Sequence, residues 1–142
     1  MNKSYAKIIE QLKAEPEWLL IARTIYGEAR GEPVEGKIAA GYVMYNRNHD
    51  KLGWNDILDP KQFSCFNYGD PNLDNIMLVT IDDKVFQECV EVAFGIIWKK
   101  IPNPMNGATH YYNHAIVGRD PWPTLKTLGQ IGKHTFKQED LT

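Results

Sequence analysis

The segment Tyr26-Gly27-Glu28-Ala29-Arg30-Gly31-Glu32 holds the residue best placed for acid–base chemistry. Glu28 falls at the C-terminal end of the most apolar helical stretch, beside a glycine and just ahead of the break at Gly31 and Pro33. A carboxyl there can project from a packed helix into a cleft. Burial and the negative end of the helix dipole both raise its pKa, the condition a general acid needs near neutral pH. The competing assignment is a solvated helix-end glutamate paired with Arg23 or Arg30, an arrangement worth little to stability.

A two-carboxyl mechanism needs a second acid across the reacting bond from Glu28. Glu32 and Glu35 are nearest in sequence, but Gly31 and Pro33 break the helical register between them and Glu28. Either can instead favour the N-terminus of the next helix, so a single-acid site is the preferred reading. His110 and His114 show an H-x3-H spacing that suits a metal on a helix. The intervening Tyr111-Tyr112-Asn113 is strand-like, where four residues separate the rings by about 13 Å. No metal and no cofactor is expected. Cys65 follows Ser64 without a recognisable nucleophile block and Cys89 lies on a helix stripe, so both are read as structural thiols.

These residues need elements to hold them. Tyr5, Ile8, Ile9 and Leu12 predict a short helix over about 5–13. Pro16 then opens a buried helix carrying Trp18, Leu19, Ala22, Ile25, Tyr26 and Ala29, which Gly31 and Pro33 end. A second helix runs from near Pro33 to about Asn48, with Ala39-Ala40-Gly41 small enough for another element to approach closely. Residues 49–72 carry turn formers around one short apolar turn, Trp54 to Leu58. A third strong helix covers about Asp82 to Lys99. Ala108 to Asn113 is β-prone, with Ile131 to Phe136 as its returning partner and Pro121-Trp122-Pro123 in the loop between. The class is α+β, mainly helical with a small irregular β region, in one domain of 142 residues.

Composition removes several classes. Sixteen basic against eighteen acidic residues leave no field to hold a polyanion, which argues against nucleic acid as a partner. No window reaches the roughly 18–20 apolar residues of a membrane span. Two cysteines cannot make a disulfide framework. The N-terminus lacks an apolar h-region, so synthesis in the cytoplasm without a signal peptide is expected.

The run Ala22 to Pro33, then Glu35-Gly36-Lys37-Ile38-Ala39-Ala40-Gly41 and Asn46-Arg47, resembles the SleB-like cell-wall hydrolases, which include spore-cortex-lytic enzymes and many phage endolysins. Pro60-Lys61-Gln62-Phe63-Ser64, Ala108-Thr109-His110-Tyr111-Tyr112-Asn113 and Ile131-Gly132-Lys133-His134-Thr135-Phe136 match in the same order, over roughly residues 18–136. The resemblance implies a lysozyme-like fold and cleavage of peptidoglycan glycan strands between N-acetylmuramic acid and N-acetylglucosamine. It makes Glu28 the catalytic acid of a lytic transglycosylase, with a hydrolytic muramidase as the alternative.

The same resemblance assigns the substrate groove. Gln62, Ser64, Tyr112 and Asn113 offer donors and acceptors to sugar hydroxyls and acetamides. Phe63 and Tyr111 offer ring faces, although one of Tyr111 and Tyr112 must point inward and Phe63 serves equally as packing. His134 is placed in or near the cleft, and Glu35 is divided between substrate and helix N-terminus. The expected partner is the glycan strand, met by a monomer. The expected setting is phage-type lysis through a holin-made hole, favoured by Thr109-His110-Tyr111-Tyr112, with the spore cortex as the alternative.

Overall fold

A computed structural model describes residues 3–48 and 63–139. Among them run α1 (Lys3–Ala14), α2 (Glu17–Ala29), α3 (Val34–Asn48), a 3-10 turn (Ser64–Phe66), α4 (Asn72–Leu78) and α5 (Lys84–Ile97). Three strands follow, β1 (His110–Asn113), β2 (Lys126–Ile131) and β3 (His134–Gln138). The turn expected at Trp54 to Leu58 lies outside the described residues.

The core forms around α2, whose Leu20, Ile21, Ala22 and Ile25 are buried between α3, α4 and α5. From α5 come Phe86, Cys89, Val90, Ala93 and Ile96. Asp83 caps that helix by accepting from the backbone N–H of Val85 and Phe86 at 2.8 and 3.1 Å. Gly41 gives the close approach expected of it, because a β-carbon there would overlap Ile96 and crowd Ile25.

The strands form one antiparallel sheet in the order β1-β3-β2. Phe136 packs with Ala39, Val43 and Ala108, seating the sheet on α3. Asn46 adds a bond from Nδ2 to the Ala108 carbonyl at 2.9 Å. One expectation needs correction. Ile131 ends β2 instead of opening the returning strand, since the hairpin turn falls at Gly132 and Lys133. β1 therefore pairs directly with β3, and β2, which lies between them in sequence, takes the far edge of the sheet. α4, at Asn72–Leu78 and anchored by buried Leu73 and Ile76, follows the turn-rich segment and has no counterpart in the sequence reading.

Candidate active site

Glu28 is the penultimate residue of α2 and is half-buried, with Oε1 shielded from solvent. Neither arginine of the solvated alternative reaches it. Arg23 is buried and donates to both carboxyl oxygens of Glu15, at 2.8 and 3.0 Å, and to the Ile76 carbonyl. Arg30 donates to the Tyr26 carbonyl at 3.2 Å and to Asn72 Oδ1 at 2.7 Å. Among the described residues no cation forms an ion pair with Glu28.

Neutral groups surround it instead. Gly27 allows Cys65 against α2, since a β-carbon there would stand 2.9 Å from both Cβ and Sγ of Cys65. The Cys65 thiol and backbone N–H face the Glu28 carboxyl, as does the Tyr111 hydroxyl from β1. Loss of solvent dominates and raises the Glu28 pKa above its ordinary value. The Cys65 dipoles oppose that rise, the charge of Asp70 adds to it, and the Tyr111 hydroxyl opposes it more weakly. Burial also pushes the Cys65 thiol far up, so it remains a protonated, unreactive donor. Although the two side chains face each other, Glu28 Oε1 and the Tyr111 hydroxyl oxygen are both buried without a hydrogen bond.

The acid opens into a cleft of about 180 Å³. Glu28, Ala29, Gly31 and Glu32 form one wall, and Asn113, Lys133 and His134 from the sheet form the other. A larger cavity of about 320 Å³ lies between α1 and the segment around Tyr68 and Asp74, but Glu28 does not line it.

Glu32 ties the walls together. Its Oε1 accepts from the backbone N–H of Lys133 at 2.9 Å and stands 3.4 Å from His134 Nδ1. Its carbonyl accepts from the buried ammonium of Lys37, which also pairs with Glu88 at 3.0 Å. Gly132, at φ 55°, presses on the same carboxylate, because a β-carbon there would lie 2.7 Å from Oε1. Glu32 is thus a strut between the α2–α3 turn and the hairpin, not the helix N-terminal charge expected of it.

His134 is 5% exposed, with its ring 4.8 Å from Tyr111 and 6.2 Å from Phe136. Burial holds its pKa below 6.5; Glu32 opposes that and His114 reinforces it. Asn113 sits directly across from His134 in the β1–β3 register. Its Oδ1 accepts from Ala115 N–H at 2.9 Å, which leaves Nδ2 as the donor to a ligand.

Of the residues assigned from sequence, Glu28, Asn113 and His134 line one cleft, whereas Glu35, Phe63 and Tyr112 do not. Glu35 is exposed in the first turn of α3. Phe63 is 4% exposed beneath the Arg47 guanidinium, 5.3 Å from its ring centre. Strand alternation turns Tyr112 away from Tyr111 and toward Trp122, at 6.2 Å. Ser64 belongs to the 3-10 turn beside Cys65, and Gln62 lies outside the described residues. The sequence reading missed Cys65 as a neighbour of the acid and Lys133 on the rim. His110 packs against Trp122 at 4.8 Å and His114 is bonded to Thr135 Oγ1 at 2.9 Å.

Residues 31–137 match the family described as Cell Wall Hydrolase, a stretch that begins just after Glu28. The chain is 31% identical over 121 residues to a spore cortex-lytic enzyme of Oceanobacillus iheyensis, covering 82% of this chain and 40% of that one. A spore cortex-lytic enzyme of Bacillus subtilis is 30% identical over 127 residues, covering 82% and 36%. The chain thus spans 40% or less of the length of these curated relatives. Its fold is that of the catalytic domain of the germination-specific lytic transglycosylase SleB from Bacillus anthracis, at a TM-score of 0.64 and 24% identity over 86% of this chain and 93% of that one. The Bacillus cereus SleB catalytic domain gives 0.62 and 24%, over 86% and 89%. The family match alone extends from the turn after α2 to the last strand, and the chain belongs to the cell wall hydrolase family.

Proposed function

We propose that this chain, as a monomeric catalytic unit, cleaves peptidoglycan glycan strands between N-acetylmuramic acid and N-acetylglucosamine as a lytic transglycosylase. The observation that carries the reading is Glu28: a carboxyl in a cleft, without an ion pair among the described residues and raised in pKa chiefly by burial. Such a group holds its proton toward neutral pH and can deliver it to the glycosidic oxygen. The C6 hydroxyl of muramic acid then attacks C1 and gives its proton to the Glu28 carboxylate. The acid is restored, the product ends in a 1,6-anhydro sugar and no water is consumed. One carboxyl performs both transfers, which agrees with Glu32 being engaged by the hairpin. Asn113 Nδ2 and the exposed Lys133 face the sugar from the opposite wall.

The relatives named spore cortex-lytic enzymes support the cortex as the setting. The phage-lysis reading rests on the Thr109-His110-Tyr111-Tyr112 block alone. Parallel digestion of spore cortex and vegetative walls separates the two.

The test of the reaction is mass spectrometry of the released muropeptides with wild type and Glu28→Gln. Anhydro ends are expected, whereas reducing muramic acid ends make the enzyme a muramidase and free stem peptides refute the reading. Glu28→Gln keeps the shape but lacks the transferable proton, so activity should fall about 10²–10⁴-fold. A variant that keeps more than roughly a tenth of wild-type activity removes Glu28 as the acid.

A further inference from the structure

We propose that Tyr111 is a positioning residue for Glu28, its buried hydroxyl donating a hydrogen bond to the Glu28 carboxylate only once that group has released its proton. The proposal rests on Glu28 being the acid.

The Glu28 and Tyr111 side chains face each other, and Glu28 Oε1 and the Tyr111 hydroxyl oxygen are both buried and both lack a hydrogen bond. Buried polar atoms are nearly always paired, so an orphaned couple at one place calls for a state that pairs them. Ionisation of Glu28 is that state. A protonated carboxyl is a modest acceptor, whereas a carboxylate in a dry site draws any donor within reach. The ring of Tyr111 is held beside the acid by His134 at 4.8 Å and Phe136 at 5.8 Å, so a small shift of the Glu28 carboxyl toward it closes the bond.

The other groups around Glu28 do not compete for the role. Cys65, in the 3-10 turn, is a weak donor. Asp70, beyond that turn, and Glu32, on the cleft wall, are acceptors. Arg47, on α3, stacks on Phe63 and forms no ion pair with the acid among the described residues. His134 is held neutral by burial. Tyr111 keeps its own proton throughout, because burial raises its phenol well above its ordinary value. The proton lost by Glu28 goes to the glycosidic oxygen, which leaves with the electron pair of the broken bond. When the C6 hydroxyl returns a proton to Glu28, the hydrogen bond from Tyr111 is released. An interaction made only as charge develops lowers the barrier without tightening substrate binding.

The experiment is Tyr111→Phe, with the pH dependence of turnover measured on soluble glycan strands. Expected are a kcat lower by about ten- to a hundredfold with KM within about twofold, and an alkaline limb moved to higher pH. The limb moves up because a Glu28 without its donor holds its proton longer. Unchanged kcat, a loss confined to KM, or a loss with an unmoved limb overturns the proposal. Should the variant fail to fold, the wild type decides by carbon NMR. The Tyr111 ζ carbon and the Glu28 carboxyl carbon should titrate with one midpoint, and a ζ carbon that ignores Glu28 ionisation overturns the proposal. Glu28→Gln is run alongside: if it stays active the assignment of the acid fails, and if it is dead while Tyr111→Phe behaves as wild type only the role of Tyr111 fails.

Discussion

Two glutamates four residues apart share one cleft wall, and their surroundings give them opposite chemistry. Glu32 is saturated, with one oxygen held by a backbone amide and a histidine close beside it. Glu28 is desolvated and faces neutral groups, which is why its proton is available. Asn113 is a third case, because it divides its amide between structure and site. Asn113→Ala should lower turnover about three- to tenfold, the cost of one uncharged hydrogen bond. It should also lower the melting temperature, because Oδ1 holds the turn at Ala115. Asn113→Ser can rebuild that turn through its hydroxyl, so the melt should recover while activity does not. Recovery of both would assign Asn113 to the turn alone. Glu28 was legible in the sequence because its position, ending an apolar helix before a glycine, is a local signal. Cys65 beside it was not, since the contact depends on clearance at Gly27, far away in the chain.

The helix that carries the acid depends on how closely its neighbours approach. Gly27→Ala should destabilise the fold by about 1–2 kcal/mol, the overpacking cost of a methyl outweighing alanine's better helix propensity. The new β-carbon would stand 2.9 Å from Cys65 and 3.1 Å from Ile76, pushing the 3-10 turn away from Glu28, so activity should fall as well. Gly31→Ala is the contrast: no protein atom lies within 4 Å of its β-carbon, and melting should hold. Equal melting curves for the two variants would refute the packing argument. α2, α3 and α5 were legible because each buries a long apolar face with a start or stop signal. α4 was not, with only Leu73 and Ile76 buried behind Asp70 and Pro71. β2 was missed because it is a half-exposed edge whose pattern breaks at Gly129, so pairing with β3 defines it more than its own sequence does.

Taken as one molecule, the protein carries buried titratable groups whose effects on stability run in opposite directions with pH. Glu28 binds its proton more tightly folded than unfolded. Its contribution is therefore complete below the ordinary carboxyl value of 4.5 and is lost as pH rises through the folded value. His134 is the reverse: its contribution is present above 6.5 and is lost as pH falls through its depressed folded value. As pH rises from 4.5 toward 6.5 the Glu28 contribution falls while the His134 contribution is restored, so the two offset each other there and build no shared optimum. Glu28→Gln should melt a few degrees above wild type at about pH 8, with the gap closing at about pH 4. A variant that melts lower than wild type at the higher pH would contradict this. Composition alone placed the chain among folded proteins, the patterning along it gave the α+β class, and no described helix is long and apolar enough to cross a membrane. The long-range seating of the sheet on α3, which brings Asn113 and His134 opposite Glu28, had no local signature beyond the matching sequence blocks.

The strut from Glu32 grips the backbone amide of residue 133, not its side chain. What stands on the rim is therefore uncoupled from how far apart the walls are held. Every amino acid except proline supplies that amide, so the charge and size at the mouth can drift between lineages, or be redesigned, while the jaw keeps its gauge. Position 133 is a place where selectivity can evolve without putting the acid at risk.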